Sequence, residues 1–295
     1  MAKNNSMKVY SFNAKTPFEF EIKDLSDITQ TKRKISGVPH RTNFYQIIRI
    51  ETGKSVQTVD FNPVEVVGGQ ILFIAKNQVV SFDVSTGYKG QIILFTDLFF
   101  NRCECDARFM KQLNLFNSFT GNTSITINET MATCWQLIRD EFYLENDHFQ
   151  SNHHCLNFQS NLIHSYLSAF LIHAERQSGK NALQAKNPEY KIAMLFAELV
   201  ELNFKSLRKV NDYLSLIGVS DKNLSSALQT VTGKTPKQFI DDHILLEAKR
   251  LLVYSNESIK EITFLLGFDE PSNFTKYFYK NTQMTPAQFR STVKY

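Results

Sequence analysis

The sequence predicts an α+β protein of two domains: a small β-barrel or sandwich with trailing helices, then an all-α domain built from two related halves. Three observations carry this reading. The first hundred residues hold short runs rich in Ile, Val and Phe, separated by Gly, Pro and Asn. From Pro188 onward, apolar residues recur only at helical spacing. Within that second region one pattern occurs twice, from Gly218 (GVSDKNLSSALQTVTGKTPKQFI) and from Gly267 (GFDEPSNFTKYFYKNTQMTPAQFR). A length of 295 residues suits two domains of ordinary size.

Strands are expected at 43–51, 55–61, 70–75, 79–84 and 90–96, with 124–128 as one last strand. Gly53, Pro63, Gly68, Gly69, Asn77 and Gly87 punctuate them. Residues 129–145 then show helical periodicity. Residues 156–175 form a second, strongly apolar helix, with Leu162, Ile163, Tyr166, Leu167, Phe170 and Leu171 on one broad face. The stretch 177–187 (QSGKNALQAKN) is polar, aperiodic and followed by Pro188, so it reads as a linker between domains 1–176 and 188–295.

Seven helices are expected after the linker. The first four are 189–202, 206–217, 220–232 and 235–256. Thr235 with Pro236 and Gln238 forms a capping box with Pro at the first helical position. Thr285, Pro286 and Gln288 repeat that signal for the last helix, and Ser258 with Glu261 opens another at IKEITFLLG. Leu224 with Leu228, and Phe274 with Phe278, are equivalent apolar pairs in the two halves. A glycine turn between two short helices is the mark of helix-turn-helix, and two in tandem point to DNA reading.

Composition bounds the alternatives. At 42% hydrophobic and 21% charged, the chain is of ordinary globular composition. No apolar run approaches the ~18 residues that cross a bilayer, and the start MAKNNSMKVYSF lacks a signal peptide's apolar stretch. A cytoplasmic protein with no membrane partner is expected. Cys103 and Cys105 are one residue apart and Cys134 and Cys155 isolated; with no paired zinc spacing, they are expected as buried or idle thiols. The net charge is only +4, so nucleic-acid binding must rest on local placement of cations.

In each half the helix after the glycine must bury one face and offer the other. Leu224, Ala227, Leu228 and Val231 go inward, leaving Lys222, Ser225, Ser226 and Gln229 outward. In the second half Phe274, Tyr277 and Phe278 go inward; Ser272, Asn273, Thr275, Lys276 and Tyr279 stay out. Small polar groups beside a lysine suit base edges and neighbouring phosphates. These residues closely resemble the C-terminal signature of AraC/XylS-type transcription regulators, above all in IKEITFLLGFDEPSNFTKYFYKNTQMTPAQFR. The resemblance covers about 188–295. It implies that Lys222, Ser225, Ser226 and Gln229 contact DNA in the first unit, and Pro271, Ser272, Thr275 and Lys276 in the second. Thr263, Leu214 and Gln283 depart from the family's usual smaller residues; Gln283 replaces a common Gly.

The strands resemble, more weakly, the cupin-like sensor half of the same family. That likeness implies a small-molecule effector or a dimerisation role. His40 and Tyr45 are the candidate ligand-lining residues, and Leu162, Tyr166, Leu167 and Phe170 the candidate dimer seam, although packing within the domain explains that helix equally well. A metal centre is not expected: Thr42 stands where a second His would follow His40, and Val80 where a further one would sit. His153, His154 and Cys155 are clustered but read as a helix cap or surface group. No cofactor is implied, and no phosphate loop or nucleophile elbow occurs. The expected function is a sequence-specific DNA-binding regulator, effector-responsive and dimeric, with double-stranded DNA, a second copy and RNA polymerase as partners. One alternative limits the N-terminal half to dimerisation or a protein contact; another makes it a metal-dependent cupin enzyme.

Overall fold

The first strands of the chain assemble into two five-stranded sheets. The computed structural model describes residues 9–10, 12, 18–31, 39–83, 85, 87–117, 123–144, 153–178 and 187–292. The chain divides into a compact unit over Val9–Ala182 and another that contains Leu183–Tyr295.

In the first unit the elements are β1 (Val9–Tyr10), β2 (Phe20–Asp24), α1 (Leu25–Thr31), β3 (His40–Thr42), β4 (Tyr45–Thr52), β5 (Lys54–Val59), β6 (Asn62–Val67), β7 (Gln70–Ile74), β8 (Val79–Ser81), β9 (Lys89–Phe95), α2 (Asp97–Phe100), α3 (Glu104–Gln112), β10 (Thr123–Thr126), α4 (Glu129–Phe142) and α5 (His153–Gln177). One sheet runs β1-β3-β8-β5-β6 and the other β10-β7-β4-β9-β2. The second sheet is apolar on both faces, which is why QILFI and QIILF read as unbroken hydrophobic runs rather than alternating ones. One face packs Ile48, Ile50, Leu72, Ile74 and Ile92 against Val59, Val66 and Val80 of the first sheet. The other packs Ile47, Ile71, Phe73, Ile93 and Phe95 beneath Trp135, Ile163, Leu167 and Phe170 of the helices.

Three expectations are corrected. The strands do not close into a barrel: among the described residues the sheets end at β1 and β6, and at β10 and β2. The edge strand β6 was hidden in the sequence by Pro63, which an edge tolerates because its missing N–H faces away from the ladder. The tip of the β5–β6 hairpin is Asp60–Phe61, both with positive φ (48° and 70°) as a two-residue primed turn requires. Second, Cys103 and Cys105 are exposed and bonded to each other (S–S 2.09 Å), while Cys134 is a buried thiol. Third, Leu167 and Phe170 have no exposed surface, so their side chains serve the unit's own core and not a seam. Leu162 is 41% exposed on the outer face of α5, with exposed Phe158 one turn before it.

His40 and Tyr45 are both buried but belong to different packing groups. His40 pairs with Val80 across β3 and β8, and its ring lies 5.5 Å from Phe82. Tyr45 faces the helices, stacks 5.1 Å from Phe95, and donates to Asp97 at 3.4 Å. The side chains of His153, His154 and Cys155 lie outside the described residues, as does most of the expected linker.

The second unit holds α6 (Pro188–Asn203), α7 (Val210–Ile217), α8 (Asp221–Thr232), α9 (Pro236–Tyr254), α10 (Ile259–Leu265), α11 (Pro271–Thr282) and α12 (Pro286–Thr292). Helix α7 starts later than its apolar pattern suggests. Residues 204–209 instead form a turn, with Phe204 buried and Leu207 accepting from the Tyr213 hydroxyl at 2.8 Å. Among the described residues no helix is long and apolar enough to cross a membrane.

Candidate nucleic-acid interface

Each half of the helical unit presents one helix by the same local chemistry. In the first, α7 ends on Gly218 in the left-handed region (φ 76°), and Ser220 then caps α8 by accepting from the Asn223 N–H at 3.2 Å. Leu224, Ala227 and Leu228 are fully buried. At about 100° per residue the opposite face is then Lys222, Ser226 and Gln229, all exposed. In the second half α11 buries Phe274 and Phe278 completely. Its opposite face is Ser272, Lys276 and Tyr279, again exposed. The two sets are equivalent residue by residue, fifty positions apart.

Ser225 and Thr275 are half-buried on the flanks of these faces. Thr275 turns its hydroxyl back to the Pro271 carbonyl at 2.8 Å. Ser226 donates to Glu189 of α6 at 2.8 Å, and hydrogen bonds from Ser226 and Thr230 hold the Glu189 carboxyl below its usual range. Two residues therefore join the region that the contact set from sequence omits. Tyr279, 50% exposed, occupies the position of Gln229; fifty-residue register alone would have found it. Glu189 adjoins the first reading helix through tertiary packing of α6 on α8, which no local pattern reveals.

Charge is placed unevenly. Lys234 and Lys237 are paired with Asp242 and Asp241, each at 2.7 Å. Lys222, Lys276 and Lys280 are exposed and make no ion pair among the described residues. The modest net charge thus conceals cations left available on both reading helices.

The halves are joined by α9, whose 19 residues span roughly 28 Å at 1.5 Å each. Its start carries the expected capping box, with Gln238 accepting from the Thr235 N–H at 2.9 Å. A second set of contacts fixes the halves side by side. Arg208, in the turn before α7, donates to the Leu266 carbonyl at 2.6 Å and lies 3.6 Å from the centre of the Phe268 ring. Tyr277 donates to the Asp241 backbone carbonyl at 2.9 Å and to its carboxylate at 3.3 Å; burial, the neighbouring Asp241 charge and the bond to that carboxylate keep its hydroxyl protonated far above its ordinary value. Gly267 (φ 75°) sits so close to the same turn that a Cβ would lie 1.7 Å from the Lys205 carbonyl oxygen.

Residues 213–292 match the helix-turn-helix domain family. The C-terminal domain is an AraC-type helix-turn-helix domain. Among curated proteins the chain is 36% identical over 103 residues to the uncharacterized HTH-type transcriptional regulator YobQ of Bacillus subtilis (strain 168), covering 35% of this chain and 40% of YobQ. It is 31% identical over 72 residues to the HTH-type transcriptional activator RhaS of Yersinia pestis (strain Pestoides F), covering 24% of this chain and 26% of RhaS. The matches thus span well under half of either relative's length. The chain also aligns with the crystal structure of fatty-acid-bound ToxT from Vibrio cholerae over 92% of this chain and 94% of that one. The identity is 13% and the TM-score 0.45. The AraC-type domain accounts for the paired turns, the duplicated caps and the equivalent exposed faces.

Proposed function

We propose that the protein is a sequence-specific DNA-binding transcription regulator whose two reading helices, α8 and α11, enter successive major grooves. One observation carries the reading: the exposed sets Lys222, Ser226, Gln229 and Ser272, Lys276, Tyr279 are equivalent, and α9 holds them on one rigid frame. Successive major grooves on one face lie about 34 Å apart, on the scale of that connecting helix. Within this reading Lys222 and Lys276 neutralise phosphates, while Gln229 and Ser272 address base edges. Ser225 and Thr275 contact the backbone from the flanks, Pro271 fixes the start of α11, and Ser226 takes part only by exchanging its bond to Glu189. The relatives' names, regulator and activator, support the same reading. No covalent chemistry is invoked, and a cytoplasmic location follows from the proposed role.

The first unit serves as sensor, dimerisation module, or both, in a cupin-like arrangement linked to the reading heads through 177–187. The dimer seam is the exposed apolar pair Phe158 and Leu162 on α5, with half-buried Tyr166 at its edge, and contact with RNA polymerase belongs to the same proposal. A second reading, with dimerisation or a protein partner in place of an effector, is favoured by one observation. The space between the sheets is filled by Ile48, Ile50, Val59, Val66, Leu72 and Val80, all fully buried.

Selection from a pool of random duplexes tests the proposal. Recovery of a motif with two conserved blocks about one helical turn apart supports it. Recovery of no motif, with binding that depends only on salt, contradicts it.

A further inference from the structure

Cys103 and Cys105 are exposed, and the bridge between them spans a single residue. A disulfide stabilises a fold mainly through the length of chain it closes, so a bridge over one residue contributes little. Exposed bridges are also the labile ones, open to an incoming thiolate. In the cytoplasmic location proposed above, small thiols hold idle pairs reduced, and the bridges that do form are transient or redox-sensing. The backbone around this pair is held by contacts of its own. Cys103 is the N-cap of α3 and Cys105 the second residue of that helix. The Arg102 N–H donates to the Asp106 carboxylate at 3.0 Å, which closes residues 102–106 into a turn. The His164 ring of α5 donates to the Phe100 carbonyl at 2.9 Å and lies 3.6 Å from Asp106. The two cysteine Cα atoms are 5.3 Å apart, inside the span a disulfide needs. Reduction therefore leaves two thiols side by side, and reclosure is an intramolecular step.

The pair also adjoins the exposed face of α5. Arg102, one peptide bond before Cys103, donates to the Ser160 carbonyl at 2.9 Å, to the Ser160 hydroxyl at 2.6 Å and to the Asn161 side chain. Its guanidinium lies 5.4 Å from the centre of the Phe99 ring. Ser160 and Asn161 stand between Phe158 and Leu162 along the helix. A rearrangement at Cys103 thus reaches that apolar pair through one side chain.

We propose that Cys103 and Cys105 form a reversible thiol–disulfide switch, oxidised by peroxides and reduced by dithiols, that acts through Arg102 on the Phe158 and Leu162 face of α5. In oxidation one thiolate attacks a peroxide oxygen and breaks the O–O bond; the departing hydroxide takes up the proton the thiol released, leaving a sulfenic acid and water. The second thiol attacks that sulfur, and its hydroxyl leaves with the proton as a second water. In reduction a dithiol thiolate breaks the S–S bond to give a mixed disulfide, and its second thiol then releases both cysteines as thiols and departs as a cyclic disulfide. The exchange involves the first unit alone. Its consequence rests on the dimer-seam reading.

The test treats the full chain, folded, with dithiothreitol, removes the reagent, and adds a small excess of hydrogen peroxide. Samples from each stage are alkylated in denaturant and digested with trypsin. Cleavage after Arg102 and Arg108 releases the peptide 103–108, which carries two alkyl groups when reduced and none when bridged. Dithiothreitol is expected to open the bridge and peroxide to restore it. A bridge that resists the dithiol in the folded chain, or a reduced pair that peroxide does not reclose, overturns the switch. Sedimentation of the two forms reads the consequence. The dimer dissociation constant is expected to differ about three- to tenfold between them. Cys103→Ser is expected to show no response to either reagent, and a response that persists there comes from another thiol and overturns the assignment. Arg102→Gln, an exposed position, is expected to keep the exchange and lose the difference in association. Equal constants in the two forms, or a difference that survives Arg102→Gln, overturn the coupling. A chain that is monomeric in both forms overturns the coupling together with the dimer reading, whereas the peptide assay fails or succeeds independently of that reading.

Discussion

Replacing Gly267 by Ala probes the joint between the reading heads more sharply than any surface change. The new Cβ would fall 1.7 Å from the Lys205 carbonyl oxygen, 2.7 Å from its carbon and 3.0 Å from its Cα. An ordinary carbon–oxygen contact is about 3.3 Å, so the turn and the α10–α11 corner must separate by roughly 1.6 Å. All three obstructing atoms are backbone, and no side chain can swing aside. The left-handed φ of 75° costs a non-glycine residue about 1 kcal/mol. Forced separation of packed backbone adds about 1–3 kcal/mol. The same move also pulls Leu266 and Phe268 from Arg208. A total near 2–4 kcal/mol is a large part of a typical domain's ~5–15 kcal/mol. Gly218 supplies the control, because it has the same φ class (76°) but nothing within 4 Å of its Cβ position. Gly218→Ala is therefore expected to cost only about 1 kcal/mol. Urea denaturation of both full-length variants, followed by far-UV circular dichroism, compares them under one set of conditions. Equal losses of stability in the two variants would refute the close-packed joint.

Further outcomes follow from the same structure. Gln283 caps α11 at φ 58°, where Gly233 caps α8, so Gln283→Gly is expected to raise stability by about 0.5–1 kcal/mol in the same urea assay. Lys276→Ala is expected to weaken DNA binding and to lower the salt slope by about 0.9, read from filter binding at several salt concentrations. Burial pushes the Tyr213 hydroxyl up to about 12 from 10.0. A raised folded value means its contribution is intact below pH 10 and lost as pH rises toward 12, so Tyr213→Phe is expected to flatten alkaline unfolding in that window. The same variant loses the 2.8 Å bond to Leu207, costing about 1 kcal/mol near neutral pH.

Much of the helical unit was legible because its signals are local. The Thr235–Gln238, Ser258–Glu261 and Thr285–Gln288 pairs each form the reciprocal bonds their spacing implies. Outward faces followed from placing Leu224 and Phe274 inward. What escaped was tertiary. Arg208 and the 204–209 turn look like the first turn of a helix until Gly267 and Phe268 are seen against them. Glu189 reaches Ser226 across thirty-seven positions of sequence.

The sheets were less legible for the same reason. β4, β7 and β9 announced themselves by β-branched runs, but Pro63 concealed an edge strand, β3 has only three residues, and β2 alternates over one short stretch broken by Lys23 and Asp24. Periodicity also failed to divide α5 into core and surface. Leu167 and Leu162 are both leucines on one broad apolar face, and only the sheet beneath decides which of them is covered.

The account depends on α8 and α11 entering two neighbouring major grooves together. Methylation interference at guanine N7 on a selected duplex tests this directly, since that atom is exposed in the major groove. Two clusters of interference about 10 base pairs apart on one face are expected, with Lys276→Ala weakening only one of them. A single cluster, or two on opposite faces of the duplex, would contradict it.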